Sequence, residues 1–164
     1  MNTIEKVKIH RGMDKVKKKE YDAALEIFER VLAANPDIPE AWNNKGVTLY
    51  GLGRTEEANE SYDRCLALDP ENLDALRNKG FLLRNQRKLE EALQVYDSVL
   101  QKGGDAFDME STAAVLAALG RLEEALNCLY LAREAMPLER FEEEIGMIQD
   151  KISERPDPDS QGKE

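Results

Sequence analysis

Paired carboxylates are the residues in this sequence that come nearest to acid–base chemistry. They recur as Glu56-Glu57, Glu90-Glu91 and Glu123-Glu124. Two carboxylates can act as acid and base only when both groups share a pocket. These pairs stand at equivalent places in successive segments, and sequence neighbours on a helix point to different faces. We therefore interpret them as negative charges at helix N-termini, where they complement the helix dipole.

The other reactive residue types are equally isolated in the sequence. His10 is the one histidine and has no cysteine nearby, which argues against a metal site. Gly51-Leu52-Gly53 follows a helical pattern rather than a strand, so it predicts a helix-ending turn and not a phosphate loop. Cys65 and Cys128 form no Cys-x-x-Cys pair and predict two small buried hydrophobic residues in a reducing compartment. We therefore predict no catalytic residues, no metal and no cofactor, and we do not expect an enzyme.

Composition limits the classes of partner. The net charge of −10 opposes non-specific binding to nucleic acid. No apolar run approaches the roughly 20 residues of a membrane-spanning helix, and the lysine-rich segment Met1–Lys19 lacks the features of a secretory signal. The basic cluster Lys15–Lys19 has no interleaved aromatic residues, so we interpret it as a solvated helix end. We expect a cytoplasmic protein with no nucleic-acid partner and no membrane insertion.

The chain is similar to itself at an offset of 34 residues. Ala41–Gly46 aligns in this way with Ala75–Gly80. The same period, with one deletion before the fourth unit, produces a first column of small residues, a second column of alanines and a column of large residues. These columns are Gly12, Gly46, Gly80 and Ala113; Ala24, Ala58, Ala92 and Ala125; and Phe28, Tyr62, Tyr96 and Leu129. Large residues set against small ones predict closely packed helix pairs.

These residues resemble a known repeat family. Trp42-x-x-Lys45-Gly46-x-x-Leu49, followed by Ala58, Tyr62, Cys65 and Pro70, is similar to the tetratricopeptide repeat, a helix–turn–helix unit of 34 residues. The resemblance implies an all-α fold, a right-handed α-solenoid of four such units followed by a capping helix. The predicted boundaries are about 5–38, 39–72, 73–105 and 106–139.

The two ends of the repeat array need separate interpretation. In the ungapped register, the first helix would bury Lys8, Arg11 and Lys15, so we favour a one-residue slip that buries Ile9, Gly12, Met13 and Val16 instead. This leaves the groove residues of the first unit undetermined. After Pro137, an apolar stripe of Phe141, Ile145, Ile148 and Ile152 predicts a capping helix over 138–153. The acidic tail 154–164 is predicted to be disordered.

The resemblance also implies a binding surface, because the first helices of successive tetratricopeptide units line a concave groove. The side chains that this geometry places in the groove are Asn43, Asn44, Val47, Tyr50, Arg77, Asn78, Phe81, Arg84 and Ser111. The family's carboxylate clamp for chaperone C-termini is not reproduced, since Phe107 and Ser111 stand where lysine and arginine would be needed. We therefore expect an adaptor or scaffold that binds an extended or helical, partly apolar and weakly acidic segment of an unidentified protein.

A second interpretation stays open at this point. The basic segment Lys15–Lys19 and the acidic segment Glu134–Glu164 have opposite charge, which would favour head-to-tail contacts between copies. The protein would then be a self-assembling structural scaffold, a weak homo-oligomer. The predicted capping helix argues against simple end-to-end stacking, because it covers the last unit.

Overall fold

Every secondary-structure element in residues 1–154, the part of the chain described by the computed structural model, is an α-helix. In chain order the helices are α1 (Thr3–Lys17), α2 (Tyr21–Ala34), α3 (Pro39–Gly51), α4 (Thr55–Leu68), α5 (Leu73–Asn85), α6 (Leu89–Gln101), α7 (Ala106–Ala118), α8 (Leu122–Ala135) and α9 (Glu139–Ser153). The predicted all-α repeat fold is confirmed. The predicted disordered tail lies, apart from Glu154, outside the described residues.

The chain divides into two compact units, Met1–Gln86 and Arg87–Glu164. In the first unit, α1 pairs with α2 and α3 pairs with α4, each as a helical hairpin. Helix α2 also packs on α3, and α4 packs on α5. In addition, α3 contacts both α1 and α5, so the first helices of successive repeats lie side by side. This arrangement brings side chains of α3 and α5 onto one surface.

A glycine lies closely against an aromatic ring within each of the first two hairpins. A Cβ atom added to Gly12 would lie 2.6 Å from the Phe28 ring, and one added to Gly46 would lie 2.5 Å from the Tyr62 ring. Both distances are too short for any side chain larger than hydrogen. The predicted packing of the glycine column against the aromatic column is therefore confirmed for these two hairpins.

Helix α1 directs inward the residues that the slipped register predicted. Ile9 and Gly12 are buried, and Met13 and Val16 pack against the same core cluster, as predicted. However, Gly12 faces Phe28 just as Gly46 faces Tyr62, which is the ungapped 34-residue register. Of the three cations in question, Lys8 and Arg11 are exposed, whereas Lys15 is half-buried and ion-paired with Glu20.

In the second unit, α6 packs on α7, α7 pairs with α8, and α9 packs on α8. The predicted apolar stripe of α9 is directed inward: Phe141, Ile145 and Ile148 are buried. Phe141 belongs to a core cluster with Ala106 and Ala132. Burial of this stripe explains why a helix with so many acidic residues is held against α8.

Candidate binding surface on α3 and α5

Three side-chain contacts connect α3 to α5 on one face of the first unit. Asn78 Nδ2 donates a hydrogen bond of 2.9 Å to Asn43 Oδ1. Asn85 Nδ2 donates one of 2.7 Å to the Tyr50 hydroxyl. The Tyr50 ring also meets the Phe81 ring edge-to-face. We call the patch formed by Asn43, Tyr50, Arg77, Asn78, Phe81, Arg84 and Asn85 the α3–α5 surface.

Phe81 is the prominent apolar group of the α3–α5 surface. It remains 40% exposed although its ring contacts Tyr50. The Arg84 guanidinium lies over the same ring, 5.4 Å from the centroid. Arginine over an aromatic face is attracted by the ring quadrupole, and this contact places a cation beside an exposed apolar surface.

Arg77 occupies the same helix two turns before Arg84 and is half-buried. Its guanidinium lies 3.7 Å from the Asp74 carboxylate of its own helix. The two arginines therefore differ: Arg77 interacts with a local carboxylate, whereas Arg84 lies against the ring of Phe81.

Two of the predicted groove residues on α3 have local roles in the structure. Asn44 Nδ2 donates to the backbone oxygen of Glu40, one turn earlier on α3, at 2.8 Å. Val47 is half-buried against the core cluster that includes Leu49 and Tyr62. The amide that contacts Asn78 is therefore Asn43, not Asn44, although Asn44 is the equivalent of Asn78 in the repeat.

Ser111, the remaining predicted groove residue, lies on α7 in the second unit. Its hydroxyl donates to the backbone oxygen of Phe107 at 2.9 Å.

Asn85 belongs to the α3–α5 surface but was not among the predicted binding residues. It stands 35 residues after Tyr50, and Asn78 stands 35 residues after Asn43. Both hydrogen bonds between these two helices thus span one repeat plus one residue. This 35-residue spacing is the sequence signal that relates both asparagines to their partners.

In two of the three recurring carboxylate pairs, the second glutamate forms an ion pair with an arginine three residues before it. Glu57 accepts two hydrogen bonds of 2.6 Å from Arg54, at the start of α4. Glu124 accepts two from Arg121, of 2.7 and 2.5 Å, at the start of α8. These hydrogen bonds lower the pKa of Glu57 and of Glu124, which is opposite to the raised pKa that suits a general acid at neutral pH.

The two cysteines differ in exposure. Cys65 is buried, as predicted, but Cys128 is only half-buried, so the prediction was wrong for the second one. Burial raises the pKa of the Cys65 thiol to about 11. Within residues 1–154, no group of three or more His, Cys, Asp or Glu side chains could hold a metal ion. No helix in this described part of the chain has the length and apolar character to cross a membrane.

Comparison with known proteins supports the repeat assignment. The sequence model of the tetratricopeptide repeat family matches residues 16–80, which include α2, α3 and α4 and most of α5. The resemblance inferred from the residue columns is therefore confirmed. No protein of curated function matches the chain at a significant level.

Solved structures extend the likeness to nearly the whole chain at the level of fold. A structure of MamA residues 41-end from Desulfovibrio magneticus RS-1 superposes with a TM-score of 0.83 at 19% identity, covering 93% of this chain and 88% of that one. PilF of Pseudomonas aeruginosa superposes with a TM-score of 0.81 at 18% identity, covering 92% of this chain and 69% of that one. At these identities the likeness establishes the fold alone.

Proposed function

We propose that the chain is a protein-interaction module that binds a peptide segment of a partner protein on the α3–α5 surface. The observation that carries this proposal is Phe81, a large aromatic side chain left 40% exposed between hydrogen-bonding amides and Arg84. Stacked helical repeats commonly use surfaces of this kind to bind other proteins. Aromatic and arginine side chains are also the residue types that most often dominate binding energy.

The chemistry of the α3–α5 surface indicates the kind of segment that would fit. An apolar side chain would pack on the exposed part of the Phe81 ring. A carboxylate beside it could accept two hydrogen bonds from the Arg84 guanidinium. The Asn43 and Asn78 amides use one donor and one acceptor on each other, and each amide has further hydrogen-bonding capacity for a peptide backbone. The ligand is thus an extended, partly apolar and weakly acidic segment.

Charge alone would not hold this segment. The first unit, Met1–Gln86, contains 14 Lys and Arg against 15 Asp and Glu, so it has no strong net field to attract an acidic chain. A segment that becomes ordered on binding also loses conformational entropy. We therefore expect a dissociation constant in the micromolar range, which corresponds to a binding free energy of about −8 kcal/mol.

A peptide-library selection on the immobilised full chain tests the proposal. The selected peptide would be titrated calorimetrically into wild type, Phe81→Ala, Asn78→Ala and Arg84→Ala. We expect Phe81→Ala to weaken binding more than Arg84→Ala, because an aromatic side chain packed at the centre of an interface contributes more binding free energy than a charge at its edge. Leu131→Ala is the matched control, since Leu131 is an apolar residue with 46% exposure on α8.

The proposal fails if Phe81→Ala and Asn78→Ala both bind like wild type. It also fails if the library consistently yields strongly basic peptides, because the α3–α5 surface offers Arg84 rather than a carboxylate beside Phe81.

A further inference from the structure

The second unit contains an apolar groove between α7 and α9. Its floor on α7 consists of alanines, and its α9 wall carries a methionine that is 56% exposed. The groove has a volume of about 180 Å³ and is lined mainly by Ala113, Ala114, Ala117, Leu129, Met147 and Ile148. We call it the alanine groove. In the repeat columns, Ala114 corresponds to Phe81, so the position that carries a protruding ring in one unit carries a small residue in the other.

A pair of carboxyl groups lies at one end of the alanine groove. Burial, followed by the neighbouring Glu110 carboxylate on α7, raises the pKa of Glu144 on α9. Arg140 is ion-paired with Glu110 and lies between two rings, 4.7 Å from the Phe107 centroid and 5.2 Å from that of Phe141. Lys151 also lines the groove, two turns after Glu144 on the same face of α9. A cation reaching Glu144 would relieve the repulsion between the two carboxyl groups.

Helix α1 presents side chains of the matching chemistry. Ile4 and Val7 are 67% and 63% exposed, which is unusual for large aliphatic residues on a packed helix. Lys8 and Arg11 are exposed as well and stand four residues after Ile4 and Val7, respectively. Because residues at i, i+3, i+4 and i+7 share a helix face, these four form one stripe of two apolar–cation pairs. The buried residues Ile9 and Gly12 lie on a different face of α1.

The charges of α1 and α9 are complementary. Helix α1 contains five Lys and Arg and two Asp and Glu, whereas α9 contains two Lys and Arg and five Asp and Glu. Opposite fields of this kind steer association and set its orientation.

We propose that the alanine groove of one copy binds α1 of a second copy. Ile4 or Val7 enters the groove, and Lys8 or Arg11, one turn further along, reaches Glu144. This contact is heterologous, because the two surfaces involved are different, so it can continue from copy to copy. It leaves the α3–α5 surface uninvolved and is independent of the proposed peptide binding.

Complementation between two variants of the full chain tests this contact. Val7→Glu places a carboxylate in the stripe of α1, and Met147→Glu places one in the alanine groove; both side chains are exposed, so we expect both variants to fold. Sedimentation velocity at low ionic strength should show concentration-dependent association of wild type and about a tenfold weaker association of each variant. An equimolar mixture should form a 1:1 complex, because the mixture still contains one intact α1 stripe and one intact alanine groove.

Two controls make the outcome decisive. Leu131→Glu, at an exposed apolar site outside both surfaces, should associate like wild type, and so should Phe81→Ala. Thermal melts verify that each variant is folded. If a glutamate variant is unfolded, Val7→Ser or Met147→Ser is used in its place. The proposal is overturned if wild type is monomeric at high concentration. It is also overturned if either variant associates like wild type or if the mixture does not form a complex.

Discussion

The rings of Tyr50 and Phe81 meet edge-to-face, with centroids 5.7 Å apart and an interplanar angle of 73°. One ring belongs to α3 and the other to α5, so this contact joins the first helices of two successive repeats. The Tyr50 hydroxyl accepts a hydrogen bond from Asn85 at the same time. Tyr50 therefore holds Phe81 in place while leaving part of its ring available to a ligand.

The Tyr50–Phe81 contact should be measurable as a coupling energy. In a double-mutant cycle with Tyr50→Leu and Phe81→Leu, we expect a coupling energy of about 0.5–1.5 kcal/mol. The value should be near the lower end of this range because Phe81 is partly exposed. Urea unfolding of the four proteins supplies the free energies. The pair Val7→Ala and Phe81→Leu should be additive within about 0.5 kcal/mol. Additivity of the Tyr50–Phe81 pair would mean that the rings do not stabilise each other.

Gly46→Ala should destabilise the first unit, because the new methyl group would lie 2.5 Å from the Tyr62 ring. Overpacking of this kind typically costs about 1–3 kcal/mol. The matched control is Gly146→Ala on α9, where an added Cβ meets no atom within 4 Å and where the better helix propensity of alanine should be neutral or stabilising. Denaturant unfolding measures the free energy of unfolding of the two variants. Equal stability of the two variants would contradict the packing of Tyr62 on Gly46.

Glu144→Gln should raise the thermal stability at neutral pH. Burial and Glu110 raise the pKa of Glu144 above its ordinary value of 4.5. Because the carboxyl group has a higher pKa in the folded state than in the unfolded state, its protonated form stabilises the folded protein. This stabilisation is complete below the unfolded-state pKa and is lost as the pH rises through the folded-state pKa. The Tm of the variant should therefore be higher than that of wild type at pH 7. At pH 4 this difference in Tm should be much smaller. The exposed neighbour Glu143→Gln is the control, and an equal gain for both at pH 7 would contradict the carboxyl contact.

The two cysteines should react at different rates with a thiol reagent. Burial raises the pKa of the Cys65 thiol to about 11 and also raises the pKa of Cys128. Since the thiolate is the reactive form, both should react slowly at pH 8, with Cys128 first because it is only half-buried. Cys65 should react only when the chain unfolds. Ellman titrations of wild type, Cys65→Ser and Cys128→Ser assign the phases, and rapid labelling of Cys65 in folded protein would be inconsistent with its burial.

Repeat architecture and hairpin packing were predictable from the sequence, because both depend on short-range patterns. Gly12 and Phe28 are separated by the same number of residues as Gly46 and Tyr62, and each pair meets within one helical hairpin. The inward stripe of α9, from Phe141 to Ile148, is likewise a local helical period. Hydrophobic periodicity and small–large matching suffice for features of this kind.

The detailed partners on the α3–α5 surface were decided by tertiary structure. Repeat equivalence aligns Asn44 with Asn78, yet Asn43 makes the contact and Asn44 donates to its own helix. Repeat columns also could not show that burial and Glu110 would raise the pKa of Glu144 or that Cys128 would stay half-exposed. A 34-residue period determines which residues occupy equivalent positions in each repeat. Contacts between helices that are not consecutive depend on their stagger and on side-chain rotamers, and only packing of the whole unit sets these.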